Sequence, residues 1–223
     1  RPNMVDATPT GIRILQLYKI FGPQPDRFID LVRQGMSKQE LRDTHGHVLG
    51  LRDINIDMPA GQIQVVMGLS GSGKSTLIRH INRLIEPTAG TIHVGEQDVR
   101  ALKPAALRQF RSEQTAMVFR KSALFPHLTV LENTEYGRQV RGMGRKQRRE
   151  KAVEWIERVG LKGYEDHYPN QLSGGMQQRV GLARALSNDA PVLLMDEAFS
   201  ALDPLIRSDM QQVLLDLQQD IGK

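Results

Sequence analysis

The spacing of apolar positions changes several times along the chain, and each change predicts an element. Gln62 to Met67 is an apolar-rich run that reads as a short buried strand, whereas Leu77, Ile78, Ile81 and Leu84 fall at helical spacing and predict a helix over Lys74 to Leu84. Upstream, Phe28, Ile29, Leu31 and Val32 fit a short amphipathic helix closed by Gly35, and Ser37 with Glu40 is a capping box that opens another. Thr129 and Glu132 form a further capping box after FPHL, and Ala152, Val153, Ile156 and Val159 mark one apolar face from about Lys146 to Val159. Pro191 to Met195 is an apolar run ending in Asp196 and Glu197, as in a buried parallel strand that delivers carboxylates at its C-terminal edge. Ile206, Met210, Val213, Leu214, Leu217 and Ile221 keep helical spacing up to a stop at Gly222.

Between the strand and helix expected at 62–84 lies a loop almost without side chains, GLSGSGK. Gly68, Gly73, Lys74 and Ser75 have the spacing of a P-loop, in the strand, loop, helix context that motif requires. Missing side chains at Gly71 and Gly73 let backbone N–H groups converge on phosphate oxygens, where a helix N-terminus adds partial positive charge. Lys74 would bring a full charge to the β and γ phosphates and the Ser75 hydroxyl would ligate Mg²⁺, with Ser70, Ser72 and Thr76 completing the phosphate loop. Such a loop predicts a nucleotide and leaves the reaction open, because kinases, GTPases and motor ATPases share it. Asp196 can orient the Mg²⁺ shell and Glu197 can polarise a water for in-line attack on the γ-phosphate; taken alone, the two read more readily as a strand end with solvated acids, and the P-loop reverses that preference. Ser173 can cap a helix and leave the Gly174 and Gly175 N–H groups open as a second anion-binding terminus, the simpler alternative being a plain cap.

Composition narrows the classes. A chain of 223 residues with 39% hydrophobic content suits a globular core, as one large domain or one with an inserted subdomain. No stretch approaches the roughly 18 apolar residues of a bilayer span. RPNMVDATPTG at the start has no apolar signal region, so the expected compartment is the cytoplasm. Zero cysteines exclude disulfides and cysteine zinc sites, and the six histidines show no metal-ligand spacing. A net charge of +5 could serve nucleic acid, acidic lipid headgroups or nucleotide phosphates. Within the basic cluster GRQVRGMGRKQRREK no aromatic residue is interleaved for base stacking, which favours a solvated face or attraction to anionic lipid over nucleic acid.

LSGGM followed by QQRVGLARAL, then LLMDE, then SALD, resembles the signature, Walker B and D-loop segments of ABC-type ATPases in their family order. With YKIFG, MGLSGSGKST, LIEPTAG and AMVF...ALFPHLTVLENT, nearly the whole chain is similar to the ATP-binding subunits of glycine betaine/proline importers, the quaternary amine transporter family. The resemblance implies an α/β fold: a P-loop NTPase with a parallel-sheet core, an N-terminal antiparallel β segment and an inserted helical subdomain. It implies one ABC ATPase domain over 1–223, truncated at its C-terminus, with a helical insertion at 24–46 and a helical subdomain at 120–172. It also implies a homodimer in which ATP and Mg²⁺ lie between the P-loop of one subunit and the LSGG segment of the other. Ser173, Gly174, Gly175 and Met176 would then reach the γ-phosphate, and Asp203 would communicate across the dimer. Met176 stands where the signature more commonly has Gln, as in betaine-type members. Family position favours Phe21 as the ring that stacks on adenine, against the alternative that it is core. Residues around Lys121 to Thr134 would face transmembrane permease subunits, an external solute-binding protein would act indirectly, no nucleic acid is involved, and the subunit would lie on the cytoplasmic face of the cell membrane.

Two departures from the family pattern matter. Arg120 stands where the family has the Gln whose amide reaches Mg²⁺ and the attacking water; a guanidinium cannot ligate a cation but can pair with phosphate, which predicts slowed hydrolysis or altered coupling. The alternative is that Arg120 points to solvent. Members also continue past Lys223 with a strand carrying a histidine, so the sheet is expected to lack a central strand. The expected function is an ATPase driving import of glycine betaine, proline or a related compatible solute. Its alternatives are a nucleotide-binding regulatory module without turnover, a non-transport ABC ATPase and a P-loop kinase, the last of which has no use for LSGGM.

Overall fold

The first strand, β1 (Ile12–Phe21), keeps strict alternation only as far as Ile14. Gln16 takes φ +47°, the ladder register shifts there, and beyond it Leu17, Tyr18 and Ile20 are the buried positions. The Gln16 N–H donates instead to Asn55 Oδ1 at 2.8 Å. Beside the bulge Gly90 has φ +97°, and a Cβ there would lie 2.3 Å from the Gln16 carbonyl oxygen, so only glycine fits.

The structure is a computed structural model that describes residues 10–120, 123–200 and 202–221, without the side chains at 217 and 219–221. The stop expected at Gly222, the face positions Leu217 and Ile221, and Lys121 of the expected membrane-facing segment lie outside the described residues. Two units are distinguished, one of residues 10–107 and one that begins at Arg108; α4 (Pro104–Glu113) runs across the boundary.

In the first unit β1 lies between β2 (Val48–Met58) and β3 (Ala89–Val94), with β4 (Gln97–Asp98) outermost, all antiparallel, in the order β2-β1-β3-β4. After β1 come a 3-10 turn at Pro25–Phe28, α1 (Ile29–Arg33) and α2 (Lys38–His45). The capping box forms in full, with the Glu40 N–H donating to Ser37 Oγ at 3.1 Å and the Ser37 N–H to Glu40 Oε2 at 2.7 Å, which holds the Glu40 carboxyl below its ordinary range. Val32 and Leu41 pack with Tyr18, Ile20 and Leu49 in a local core, each such side chain contributing on the order of 2 kcal/mol.

Two sequence expectations fail here. The helix expected over Lys74 to Leu84 stops earlier, as α3 (Lys74–Ile81). Arg83 adopts φ +55°, and its Nη1 donates to the carbonyls of Val99, Arg100 and Leu102 at 3.0, 3.2 and 2.8 Å. Those long-range bonds offset the left-handed backbone and leave Leu84 exposed. Gln62 to Met67 is not a buried strand either: no ladder includes it among the described residues, and Val65 and Met67 are 67% and 87% exposed. A strand is completed only by a neighbour of matching register, and the antiparallel sheet of this unit gives that segment none.

In the second unit β5 (Thr115–Val118) and β6 (Val192–Met195) pair in parallel, and helices α5 (Val130–Val140), α6 (Arg145–Arg158), α7 (Gly174–Ser187) and α8 (Pro204–Ile221) supply the rest. Trp155, Ile156, Leu161, Val180 and Leu182 lead its hydrophobic core. The Thr129 and Glu132 capping box is present at the start of α5. The basic cluster is not simply a solvated face. Arg138 is buried and donates to the Ser187 carbonyl and the Asp189 carboxylate, Arg141 donates to the Asn188 carbonyl, and Arg148 pairs with Glu135 at 3.3 Å. The carbonyls at the C-terminus of α7, which lack partners within the helix, attract Arg138 and Arg141, and that attraction turns part of the cluster inward. No helix among the described residues is long and apolar enough to cross a membrane.

Candidate functional site

At the N-terminus of α3 the cap residue is Gly73, with φ +95° and no side chain to occupy the orphan N–H groups of the first turn. A Cβ on Gly73 would meet the Gly50 carbonyl oxygen at 3.0 Å and Leu51 Cδ2 at 3.1 Å, so glycine is required by conformation and by space. Gly71 also has positive φ, with open space around its Cβ position. Lys74 reaches back across the loop, its ammonium donating to the carbonyls of Gly68 at 2.8 Å and Leu69 at 2.7 Å. The loop therefore wraps its own cation beside an uncapped helix terminus, a geometry suited to an anion. Ser70 and Ser72 are exposed in this loop and Ser75 and Thr76 half-buried in the first turn. Loop glycines and lysine were legible from spacing; the grip of Lys74 on its own loop was not.

Phe21, at the end of β1, is not a core residue: its ring is 39% exposed, with the Lys19 ammonium 5.0 Å from its centroid. Gly50 lies beneath it, where a Cβ would approach the ring to 2.6 Å. Burial pulls the Lys19 ammonium below its ordinary range, with the Glu86 charge opposing.

In the second unit β6 ends at Met195 and places Asp196, 2% exposed, with its N–H on the Val118 carbonyl at 2.9 Å. Glu197 follows in a left-handed conformation, φ +49°, uncommon for a residue with a long side chain and characteristic of functional turns. Its Oε2 lies 3.2 Å from Arg120 Nη1. The apolar run before Glu197 and the family pattern at Arg120 singled out each residue but not their pairing, because they are far apart in sequence.

Ser173 caps α7 by accepting from the Met176 N–H at 3.2 Å, and Met176 packs against the core. Its oxygen does not engage the N–H groups of Gly174 or Gly175. A Cβ on Gly174 would meet nothing within 4 Å, and one on Gly175 only Leu202 Cδ2 at 3.6 Å. Packing within this chain thus requires neither glycine. Gln178, in the same helix, donates to the Phe119 carbonyl at 2.8 Å, and Arg184 to that of Ala123 at 3.0 Å, so α7 holds the segment after β5 at two points. Burial lowers the Arg184 pKa. Asp203 Oδ1 accepts from the N–H groups of Leu205 and Ile206, both at 3.1 Å, and so caps α8.

The profile of the ABC transporter family matches residues 51–200. Over 219 residues the chain is 52% identical to the glycine betaine transport ATP-binding protein OpuAA of Bacillus subtilis (strain 168), covering 98% of this chain and 52% of that one. It is 50% identical over 207 residues to the glycine betaine/proline betaine transport system ATP-binding protein ProV of Escherichia coli (strain K12), covering 93% and 52%. The chain thus spans about half the length of these relatives. Among solved structures it is similar to the ATP-binding cassette MJ0796, in a dimeric post-hydrolysis state bound to ADP and Pi, with TM-score 0.81 and 30% identity over 95% of this chain and 84% of that one.

Proposed function

The chain belongs to the ABC transporter family, and on that premise we propose that it is the ATP-binding and ATP-hydrolysing part of an importer for glycine betaine, proline or a related compatible solute. The names of its relatives support the solute class, and the loop around Lys74 is the observation that carries the nucleotide. When ATP arrives, phosphate oxygens replace the Gly68 and Leu69 carbonyls as partners of the Lys74 ammonium, and the uncapped N–H groups of α3 receive the remaining charge. Ser70, Gly71, Ser72, Gly73 and Thr76 line that phosphate loop, Gly68 opens it, and Phe21 offers its exposed ring to adenine.

Ser75 and Asp196 are the residues that would hold Mg²⁺, a hydroxyl and a carboxylate being hard oxygen donors of the kind this ion takes alongside phosphate and water. The ion, when bound, offsets negative charge on the phosphates. Glu197 accepts a hydrogen bond, then the proton, from the attacking water as the new P–O bond forms; the bond to the β-phosphate oxygen breaks and ADP leaves with that electron pair.

Open space at Gly174 and Gly175 supports the dimer, because two glycines at a helix N-terminus that internal packing does not need leave room for another subunit's nucleotide. Ser173 and Met176 frame that terminus, and Asp203, whose carboxylate caps α8, would communicate across the dimer. Permease subunits and an external solute-binding protein complete the transporter, with this subunit peripheral on the cytoplasmic face of the membrane.

The 3.2 Å contact of Arg120 with Glu197 favours a second reading, a nucleotide-binding regulatory module without turnover. Calorimetric titration with Mg-ATP, with Lys74→Ala as control, tests the first step: Lys74-dependent binding is expected, and equal binding by both proteins would refute the loop's role. Phosphate release that is lost in Glu197→Gln separates the ATPase from the module.

A further inference from the structure

The geometry points to Arg120 as a positioning residue that restrains the catalytic carboxylate: its guanidinium engages Glu197 Oε2 in an ion pair that competes with the attacking water for that carboxylate. This inference rests on the ATPase reading above. Each end of the pair follows a residue whose backbone is hydrogen-bonded. Phe119, immediately before Arg120, is tied by its carbonyl to the Gln178 amide of α7 at 2.8 Å. Glu197 follows Asp196, whose N–H is bonded to Val118 at 2.9 Å, and its own carbonyl accepts from the Ser200 N–H at 3.1 Å. Glu197 itself sits in the left-handed region at φ +49°, a conformation uncommon outside glycine.

The side chains themselves are accessible, Arg120 at 70% and Glu197 at 41%. Only Oε2 of Glu197 is taken, so the restraint is partial. A lone pair engaged by a guanidinium N–H is unavailable to a water, whereas a neutral amide at this position would leave the carboxylate without a competing cation. Exposed ion pairs of this kind favour the closed form by a factor of up to about five, and they weaken as salt screens the charges. A phosphate dianion is a stronger partner for the same guanidinium than a carboxylate, so the pair is one that nucleotide or product phosphate can open. Because α7 also begins with Ser173, Gly174 and Gly175, the helix that presents the signature segment is the one that anchors the restraint.

The test uses the full-length protein. ATP turnover at saturating Mg-ATP and affinity for the fluorescent analogue mant-ATP are measured for the wild type, Arg120→Gln, Arg120→Lys and Glu197→Gln, at low salt and at about 0.5 M salt, where screening acts within a few ångströms. Arg120→Gln is expected to raise kcat about two- to fivefold at low salt, whatever small change in analogue affinity the lost guanidinium brings. High salt is expected to lift the wild type toward the Arg120→Gln value and to leave Arg120→Gln flat, while Arg120→Lys stays near the wild type because it keeps the charge. An Arg120→Gln kcat at or below that of the wild type, or the same salt profile in both, overturns the restraint while the ATPase reading stands. A wild type that binds mant-ATP but releases no phosphate under any condition overturns the ATPase reading and the restraint with it.

Discussion

Replacing Gly174 and Gly175 together by alanine separates what this chain needs for itself from what it offers a partner. In the structure the added Cβ at 174 meets nothing within 4 Å, and that at 175 meets Leu202 Cδ2 at 3.6 Å, an ordinary van der Waals contact. Neither glycine has a left-handed φ, so alanine introduces no backbone strain. Alanine in a helix is favoured over glycine by about 0.5 to 1 kcal/mol, and positions in the first turn take the lower end. The double variant should therefore gain roughly 1 kcal/mol, or about 2 to 4 °C in Tm for a chain of this size. If the open terminus receives the γ-phosphate of ATP held by a second copy, two methyl groups there obstruct the approach and should reduce turnover by at least about tenfold, which corresponds to 1.4 kcal/mol. Mg-ATP binding to the isolated subunit through Lys74 should be unchanged. Thermal melting, calorimetry and phosphate release on one preparation measure the three quantities. A double variant that is more stable and equally active would refute the reading of the glycines as room for a partner, and one that loses stability would refute the account of local packing.

Gly73→Ala is the opposite case: φ +95° together with contacts of 3.0 and 3.1 Å should cost about 2 kcal/mol and abolish ATP binding, seen as a lowered Tm and a flat calorimetric titration. Arg138→Ala should lower stability by about 2 to 3 kcal/mol in denaturant unfolding, because it strands the Ser187 carbonyl at the end of α7 and removes the Asp189 ion pair. Burial pulls the His80 imidazole below its ordinary value, against the opposing hydrogen bond to the Thr76 carbonyl. Below about pH 6.5 the unfolded chain therefore takes up a proton that the folded one refuses, and stability should fall with decreasing pH by up to about 1.4 kcal/mol per unit until the lowered folded value is reached. His80→Asn should remove that component from a series of melts between pH 7 and 5.

Local chemistry was legible in the sequence and long-range chemistry was not. Ser37 with Glu40, Thr129 with Glu132, and Ser173 with Met176 are caps closed within three residues, so the residue types alone specify them. Strand β6 could be read from its apolar run because it finds β5 as a parallel partner and its Val192 and Leu194 are buried. Gln62 to Met67 is also a short run, apolar but for Gln62 and Gln64, yet it forms no ladder among the described residues, since composition says how well a strand would pack but not whether a neighbour of the right register exists. The end of α3 shows the same limit. Pro87 signals a stop only after Leu84; the earlier break coincides with carbonyls 16 to 19 residues downstream that recruit the Arg83 guanidinium.

Arginine is the residue for which this limit matters most, because five donors on a long stem find partners that no local pattern encodes. Arg138 and Arg141 lie in a cluster that reads as a charged surface, yet they close the carbonyl end of α7, 47 to 51 residues away. Arg120 extends the argument to the site. As a sequence position it predicts the loss of a ligand amide and a cation that pairs with phosphate or points to solvent. In the structure its cation has gone to Glu197, and Phe119 beside it is held by α7. A charge introduced next to a catalytic carboxylate does not stay neutral to the chemistry; it becomes the carboxylate's first competitor for water, and the turnover of Arg120→Gln against Arg120→Lys measures that competition directly.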